Sequence, residues 1–343
     1  MNILDLVRDN IKALKPYASA RDEYQQSHGN MVFLDANENP FNNGLNRYPD
    51  PKQNLLKLEL SKIKQVAPQN ILLGNGSDEV LDLIMRTFCE PNKNKVITLP
   101  PTYGMYQVLA NINALEVVEV PLTASFQPQV SKILKVNNAK VLFLCSPNNP
   151  TGNGLNLLDI ERLLRAFQGI VVLDEAYIDF SEQESWLHRL EEFPNLIITQ
   201  TFSKAFGLAG IRLGICYASE DIVSTLNKIK PPYNVNTLTQ TAALKRLKNL
   251  TEIASEIEVI KSEKALLTST LKTIQFISNV YPSQANFLLV KMDDAQMRYK
   301  QLIEKDIVVR NITTQFGCEN CLRLTVGTPE ENQNLLNTLK DLQ

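Results

Sequence analysis

One alternation restricts the possible folds more than anything else in this chain. Between about residue 70 and residue 218, short apolar runs take turns with stretches whose apolar residues recur every three or four positions. Val96–Leu99, Glu116–Val120, Val141–Leu144, Ile170–Asp174, Leu196–Thr199 and Leu213–Ala218 read as strands. Glu79–Phe88, Tyr103–Ile112 and Leu157–Phe167 read as the helices between them. Strands covered on both faces lose the in–out alternation and become continuous apolar runs, as in parallel sheets. The expected class is therefore α/β, a mostly parallel sheet sandwiched by helices. Such sheets bind ligands at the carboxyl ends of their strands, so the polar residues directly after these runs are where chemistry is expected.

The pattern changes at Pro231-Pro232. A long helical stretch from Thr237 to Leu271 comes next, then shorter strand candidates at Phe276–Val280, Phe287–Val290, Ile307–Val309 and Leu322–Val326, and a helix from Pro329. At the other end, Ile3, Leu4, Val7, Ile11 and Leu14 fall at helical spacing, an amphipathic arm that must pack on something. The expected division is an arm over 1–30, a large domain over 31–235, and a linking helix with a small α/β domain over 236–343. A length of 343 residues agrees with about two domains.

Composition removes several functions. Lys and Arg number 35 against 37 Asp and Glu, so no basic surface for nucleic acid or an anionic membrane is expected. Two histidines, His28 and His188, give no material for a histidine-rich metal site, and both read as surface residues. The five cysteines are scattered and odd in number, which fits reduced thiols and a cytoplasmic location. Cys318 and Cys321 form a CxxC without the second pair of a zinc ribbon, and read as strand-edge cysteines. The longest apolar runs fall far short of the ~18 residues of a membrane span, and the N-terminus lacks the features of a signal peptide.

The strand ends carry an unusual set of groups. Val141–Leu144 leads to Ser146-Pro147-Asn148-Asn149-Pro150-Thr151-Gly152, and Ile170–Leu173 to Asp174-Glu175-Ala176-Tyr177. After Leu196–Thr199 come Thr201, then Ser203-Lys204-Ala205-Phe206-Gly207-Leu208-Ala209-Gly210-Ile211-Arg212-Leu213-Gly214. Singly, each has an ordinary explanation: an Asp caps a helix, a lysine is solvated, Asn-Pro-Thr-Gly makes a turn. In this order, on this scaffold, they converge on one rim.

On these motifs the chain resembles the fold-type I pyridoxal 5′-phosphate aminotransferases, and within them the histidinol-phosphate aminotransferase branch. The resemblance spans nearly the whole chain and includes Pro16-Tyr17, Asn37-Glu38-Asn39-Pro40, Arg47-Tyr48-Pro49-Asp50, Gly74-Asn75-Gly76-Ser77-Asp78-Glu79, Pro100-Pro101-Thr102-Tyr103 and Leu322-Arg323-Leu324-Thr325-Val326-Gly327. It implies that Lys204 holds the cofactor through its amine and shuttles a proton, work that needs a tunable amine. Asp174 would pair with the pyridine nitrogen, Asn149 and Tyr177 would bond the ring's 3′-oxygen, and Tyr103 would stack on the ring. Gly76, Ser77 and Asp78 at a helix start, with Thr201, Ser203 and Arg212, would hold the phosphate. The resemblance further implies a homodimer in which Tyr48 reaches the neighbouring subunit's cofactor. Arg310, Arg323, Tyr17 and Asn37 would bind an anionic substrate.

Other readings stay open at this level. Gly74-x-Gly76 lacks the third glycine of a dinucleotide fingerprint, Glu79 standing in its place, and there is no Walker A lysine, so NAD and nucleoside triphosphates lose their main support. Transamination of L-histidinol phosphate with 2-oxoglutarate competes with an aromatic amino-acid aminotransferase and a threonine-phosphate decarboxylase of the same fold. A silent binding protein on this scaffold would have no need to keep Lys204, Asp174, Asn149 and Tyr177 together.

Overall fold

A computed structural model describes residues 2–16 and 32–342. Seven strands build the larger sheet: β1 (Ile71–Asn75), β2 (Lys95–Thr98), β3 (Glu116–Glu119), β4 (Ala139–Cys145), β5 (Ile170–Asp174), β6 (Leu196–Thr201) and β7 (Leu213–Ala218). Their order across the sheet is β1-β7-β6-β5-β4-β2-β3. All neighbours are parallel except β7, which runs antiparallel to both β1 and β6. The start of β7 therefore lies at the rim where β4, β5 and β6 end.

Burial explains why these segments are strands. Every residue of β5, β6 and β7 is buried, so each strand is covered on both faces. One core packs Leu73, Leu142, Leu173, Ile198 and Ile215 on one side of the sheet. A second packs Leu72, Phe143, Val172, Ile197 and Cys216 on the other. The split obeys the period of two along each strand. The helices Gly76–Phe88, Met105–Ile112 and Leu157–Ala166 supply the apolar faces that close these layers. The last begins with Asn156, whose side chain accepts from the backbone N–H groups of Leu158 and Asp159.

A smaller antiparallel sheet comes after it: β8 (Ile277–Val280), β9 (Phe287–Met292), β10 (Arg310–Asn311) and β11 (Cys321–Thr325), ordered β10-β11-β9-β8. Three expectations are corrected in detail. The run Ile307–Val309 forms no strand; Val308 is exposed, and pairing starts only at Arg310, opposite Arg323. The stretch from Thr237 divides into helices Thr237–Leu247 and Leu250–Leu271, because Asn249 leaves helical geometry at φ −115°, ψ 47°. In the N-terminal segment, a short 3₁₀ turn and the helix Asp9–Ala13 bury Ile3, Leu6, Val7 and Ile11 against the second core, while Leu4 and Leu14 face outward. Arg8 ties this segment down through an ion pair with Glu90 and a bond to the carbonyl of Arg86. Cys318 and Cys321 are buried free thiols at the start of β11. His188 is exposed, and His28 lies outside the described residues. Among the described residues, no helix is long and apolar enough to cross a membrane.

Candidate active site

The carboxyl ends of β4, β5 and β6 open onto a cavity of about 530 Å³. Its wall carries Asn149, Asp174, Tyr177, Thr201, Ser203 and Lys204 from the strand ends, and Ser77, Asp78, Tyr103 and Arg212 from the elements around them. Arg310 and Arg323 complete it from the smaller sheet. Thirteen of the sequence-derived candidates thus belong to one neighbourhood, counting Gly76, which precedes Ser77 in the chain.

Asp174 is the last residue of β5 and is buried. Its Oδ2 accepts from the Tyr106 hydroxyl at 2.6 Å and its Oδ1 from the backbone N–H of Ala176 at 3.2 Å. Burial pushes its pKa above the ordinary carboxylate range, while these donors and the nearby Thr199 hydroxyl pull it back. Lys204, in the loop after β6, holds its Nζ 5.5 Å from the centre of the Tyr177 ring. Burial first, and then the nearby Arg323 guanidinium, lower the Lys204 pKa; Asp174 acts in the opposite sense. A lowered pKa raises the neutral fraction of an amine above that of a solvated lysine, the direction a covalent or basic role needs.

The end of the cavity beside the helix Gly76–Phe88 is built by close backbone approach. Gly76 opens the helix Gly76–Phe88 at φ +79°, and its N–H donates to the carbonyl of Arg212 at 2.8 Å. A Cβ on Gly76 would lie 2.8 Å from Arg212 Nη2. Gly214, on β7, is held so close to this helix start that a Cβ there would lie 2.3 Å from the backbone nitrogen of Ser77. Arg212 reaches Asp78 at 3.6 Å, and Tyr103 donates to Asp78 at 3.1 Å. Thr201 Oγ1 and Ser203 Oγ are 3.0 Å apart, and the Ser203 N–H donates to Thr201 Oγ1. Backbone N–H groups at the start of a long helix, two hydroxyls and a guanidinium are thus gathered at this end of the cavity, groups of the kind that pair with anions.

At the other end, Arg310 and Arg323 stand opposite each other across β10 and β11. Arg323 Nη1 donates to Asn149 Oδ1, and its guanidinium lies 5.2 Å from the Phe287 ring. Its Nε is buried without a partner, and burial lowers its pKa. Among the described residues neither arginine has a carboxylate partner, which leaves two cations facing the cavity.

Two candidates stand elsewhere in this chain. Asn37 and Tyr48 line a separate cavity of about 430 Å³, where Tyr48 stacks on Tyr233 with ring centres 4.5 Å apart. Tyr17 lies outside the described residues. The contact of Tyr106 with Asp174 was not legible in the sequence. Tyr106 shares a helix face with Leu109 and Ala110, all buried, and that spacing reads simply as core.

The aminotransferase class I and II family matches residues 23–339. The chain is 60% identical to a histidinol-phosphate aminotransferase of Flavobacterium johnsoniae, over 99% of each chain. A histidinol-phosphate aminotransferase structure from Clostridium acetobutylicum superimposes with a TM-score of 0.81 at 25% identity, covering 87% of this chain and 91% of that one. A third, from Sinorhizobium meliloti in complex with pyridoxal-5′-phosphate, gives 0.80 at 22% identity, over 86% and 82%. With a family match over most of its length and a relative this close along the full chain, the protein belongs to the class I and II aminotransferases.

Proposed function

We propose that the chain catalyses pyridoxal phosphate-dependent transfer of the amino group of L-histidinol phosphate to 2-oxoglutarate, giving imidazole acetol phosphate and L-glutamate in L-histidine biosynthesis. The observation that carries the reaction type is the cavity that joins Lys204 to the buried Asp174, with helix-start N–H groups, hydroxyls and Arg212 at one end and, at the other, two arginines with no carboxylate partner among the described residues. The curated relatives, 60% and 58% identical, supply the substrate.

The donor set fits the cofactor. Gly76 and Gly214 let the helix start, β7 and Arg212 come together where a side chain would clash, and the helix-start N–H groups, Thr201, Ser203 and Arg212 suit a phosphate dianion. When bound, pyridoxal phosphate accepts the electron pair of a breaking Cα–H bond. Lys204 would anchor it and take the proton at the substrate Cα with Nζ. Asp174 would hold a proton on the ring nitrogen, Asn149 and Tyr177 would donate to the ring oxygen, and Tyr103 would cover the ring. Arg310 and Arg323 would fix the phosphate of histidinol phosphate and the carboxylate of glutamate in turn.

The reading includes a cytoplasmic homodimer. Tyr48 and Asn37 lie away from the cavity of their own chain, and the apolar side chains of Val32, Leu34, Phe41 and Leu55 are each exposed, as expected of residues that a second copy covers. It also keeps the division near residue 235, with Arg310 and Arg323 on the smaller domain. Steady-state rates with histidinol phosphate, phenylalanine and threonine phosphate test the substrate. Turnover of histidinol phosphate should be fastest; activity on phenylalanine alone would overturn the reading.

A further inference from the structure

We propose that Tyr106 is a positioning residue that keeps the Asp174 carboxylate aimed and ionised for the ring nitrogen of the bound cofactor. The inference rests on the role given to Asp174 under the proposed function and deepens it. Tyr106 is fully buried in the helix Met105–Ile112 and donates to Asp174 Oδ2 at 2.6 Å. That length falls in the range of hydroxyl bonds to an ionised oxygen, roughly 2.5–2.7 Å. The donor cannot swing away. Its ring stacks on Phe143 with centres 4.7 Å apart and planes 11° from parallel, and meets Tyr103 edge-on at 5.5 Å. The bond spans 68 residues of sequence and joins the helix after β2 to the end of β5.

The two Asp174 oxygens are held from different sides, Oδ2 by Tyr106 and Oδ1 by the Ala176 N–H. The pair fixes the carboxylate's rotation and, with the Thr199 hydroxyl of β6, opposes the effect of burial. The other titratable groups around Asp174 are Asp78 on the helix Gly76–Phe88, Cys145 at the end of β4, Tyr103, Tyr177 and Lys204. Asp78 makes ionisation harder, and a Lys204 ammonium makes it easier. Tyr106 itself stays neutral, since burial and the Asp174 charge push its pKa well above the usual tyrosine value. It therefore remains a donor throughout the working pH range.

Removal of the Tyr106 hydroxyl has a definite sign. Without it, Asp174 takes up a proton at higher pH, and the site loses its negative charge sooner on acidification. A hydrogen bond to a charged group is strong enough to move a titration by roughly one pH unit or more. The test is the dissociation constant of pyridoxamine 5′-phosphate, which cannot condense with Lys204, measured from pH 5 to 9 on wild type, Tyr106→Phe and Asp174→Asn. For Tyr106→Phe the acid limb should move up by about one pH unit, with affinity at pH 8 within about twofold of wild type. Asp174→Asn should bind weakly and lose that limb. A Tyr106→Phe limb that coincides with wild type, or an equal loss of affinity at every pH, would mean that the tyrosine only packs and would overturn the inference. A wild-type profile in Asp174→Asn would instead overturn the role of Asp174, and the inference with it. Calorimetry on the apoproteins separates a plain loss of stability from the pH shift.

Discussion

Gly214→Ala puts the tightest contact at the site to the test. Gly214 sits on β7 between Gly74 of β1 and Thr201 of β6, so the strand cannot drift sideways without breaking two ladders. The added Cβ would stand 2.3 Å from Ser77 N, 2.4 Å from the Gly76 carbonyl carbon and 2.6 Å from its oxygen. Carbon contacts settle at roughly 3.5–4.0 Å, so the helix start must retreat by about 1 Å. Overpacking of this kind costs about 1–3 kcal/mol. At about 2–4 °C per kcal/mol for a large domain, the melting temperature should fall by about 2–12 °C. Ser77 N, one of the retreating atoms, is a proposed phosphate donor, and losing one bond to a charged group costs about 1.5–3 kcal/mol, or roughly 10–100-fold in affinity. Calorimetry of the apoprotein and an absorbance titration with pyridoxal phosphate read the two effects separately. Gly210→Ala is the control, because nothing lies within 4 Å of its Cβ position. A Gly214→Ala protein that melts and binds like wild type would show that the helix start does not depend on this approach.

The same geometry sets three more expectations. Lys204→Ala should lose the visible absorption of the lysine-bound cofactor and at least a thousandfold in turnover, roughly 4 kcal/mol at 1.36 per decade; full turnover would remove Lys204 from the chemistry. Arg323→Ala should raise KM for histidinol phosphate about tenfold or more in steady-state assays, since it removes a charge-assisted donor from the cavity; an unchanged KM would move the anion to another group. Lys57 is half-buried, and burial first, then the neighbouring Lys230, lower its pKa from 10.5 to about 8. Between those values the unfolded chain binds more protons, so the Lys57 contribution to stability rises with pH from about 8 to 10.5, is lost as pH falls through that window, and is flat below it. Denaturant titrations of Lys57→Met should show a flatter dependence than wild type across that range, and parallel curves would contradict the shift.

How much the sequence disclosed depended on whether the cause was local. Ile170–Asp174 and Leu213–Ala218 were legible to the residue because strands buried on both faces leave an unbroken apolar run. The site was legible for the same reason, since the residues next in the chain must emerge where each strand ends. Ile307–Val309 misled because three branched residues favour extended backbone, yet with Val308 pointing to solvent no partner strand covers them. The break at Lys248-Asn249 had no proline or glycine to announce it. Tyr106 was hidden because its role is set by a partner far along the chain, and a tyrosine on an apolar helix face looks like packing. Asn37 and Tyr48 belong to motifs that were plain in the sequence, but the cavity they line within one chain is a different one.

The reversal of β7 also bears on how the apoprotein becomes active. The loop 202–212, which carries Ser203, Lys204 and Arg212, leaves β6 at Thr201 and enters β7 at Leu213, and Thr201 pairs with Gly214 in the ladder. Both ends of the loop are thus pinned to one another by the hairpin before any cofactor arrives. Pinning removes most of the closure entropy that a free loop would lose on ordering. Loading then has the character of a ligand entering a finished socket rather than of a segment folding around its guest. Its rate should scale linearly with cofactor concentration, with no plateau from a slow ordering step, and it should carry only a small heat-capacity change.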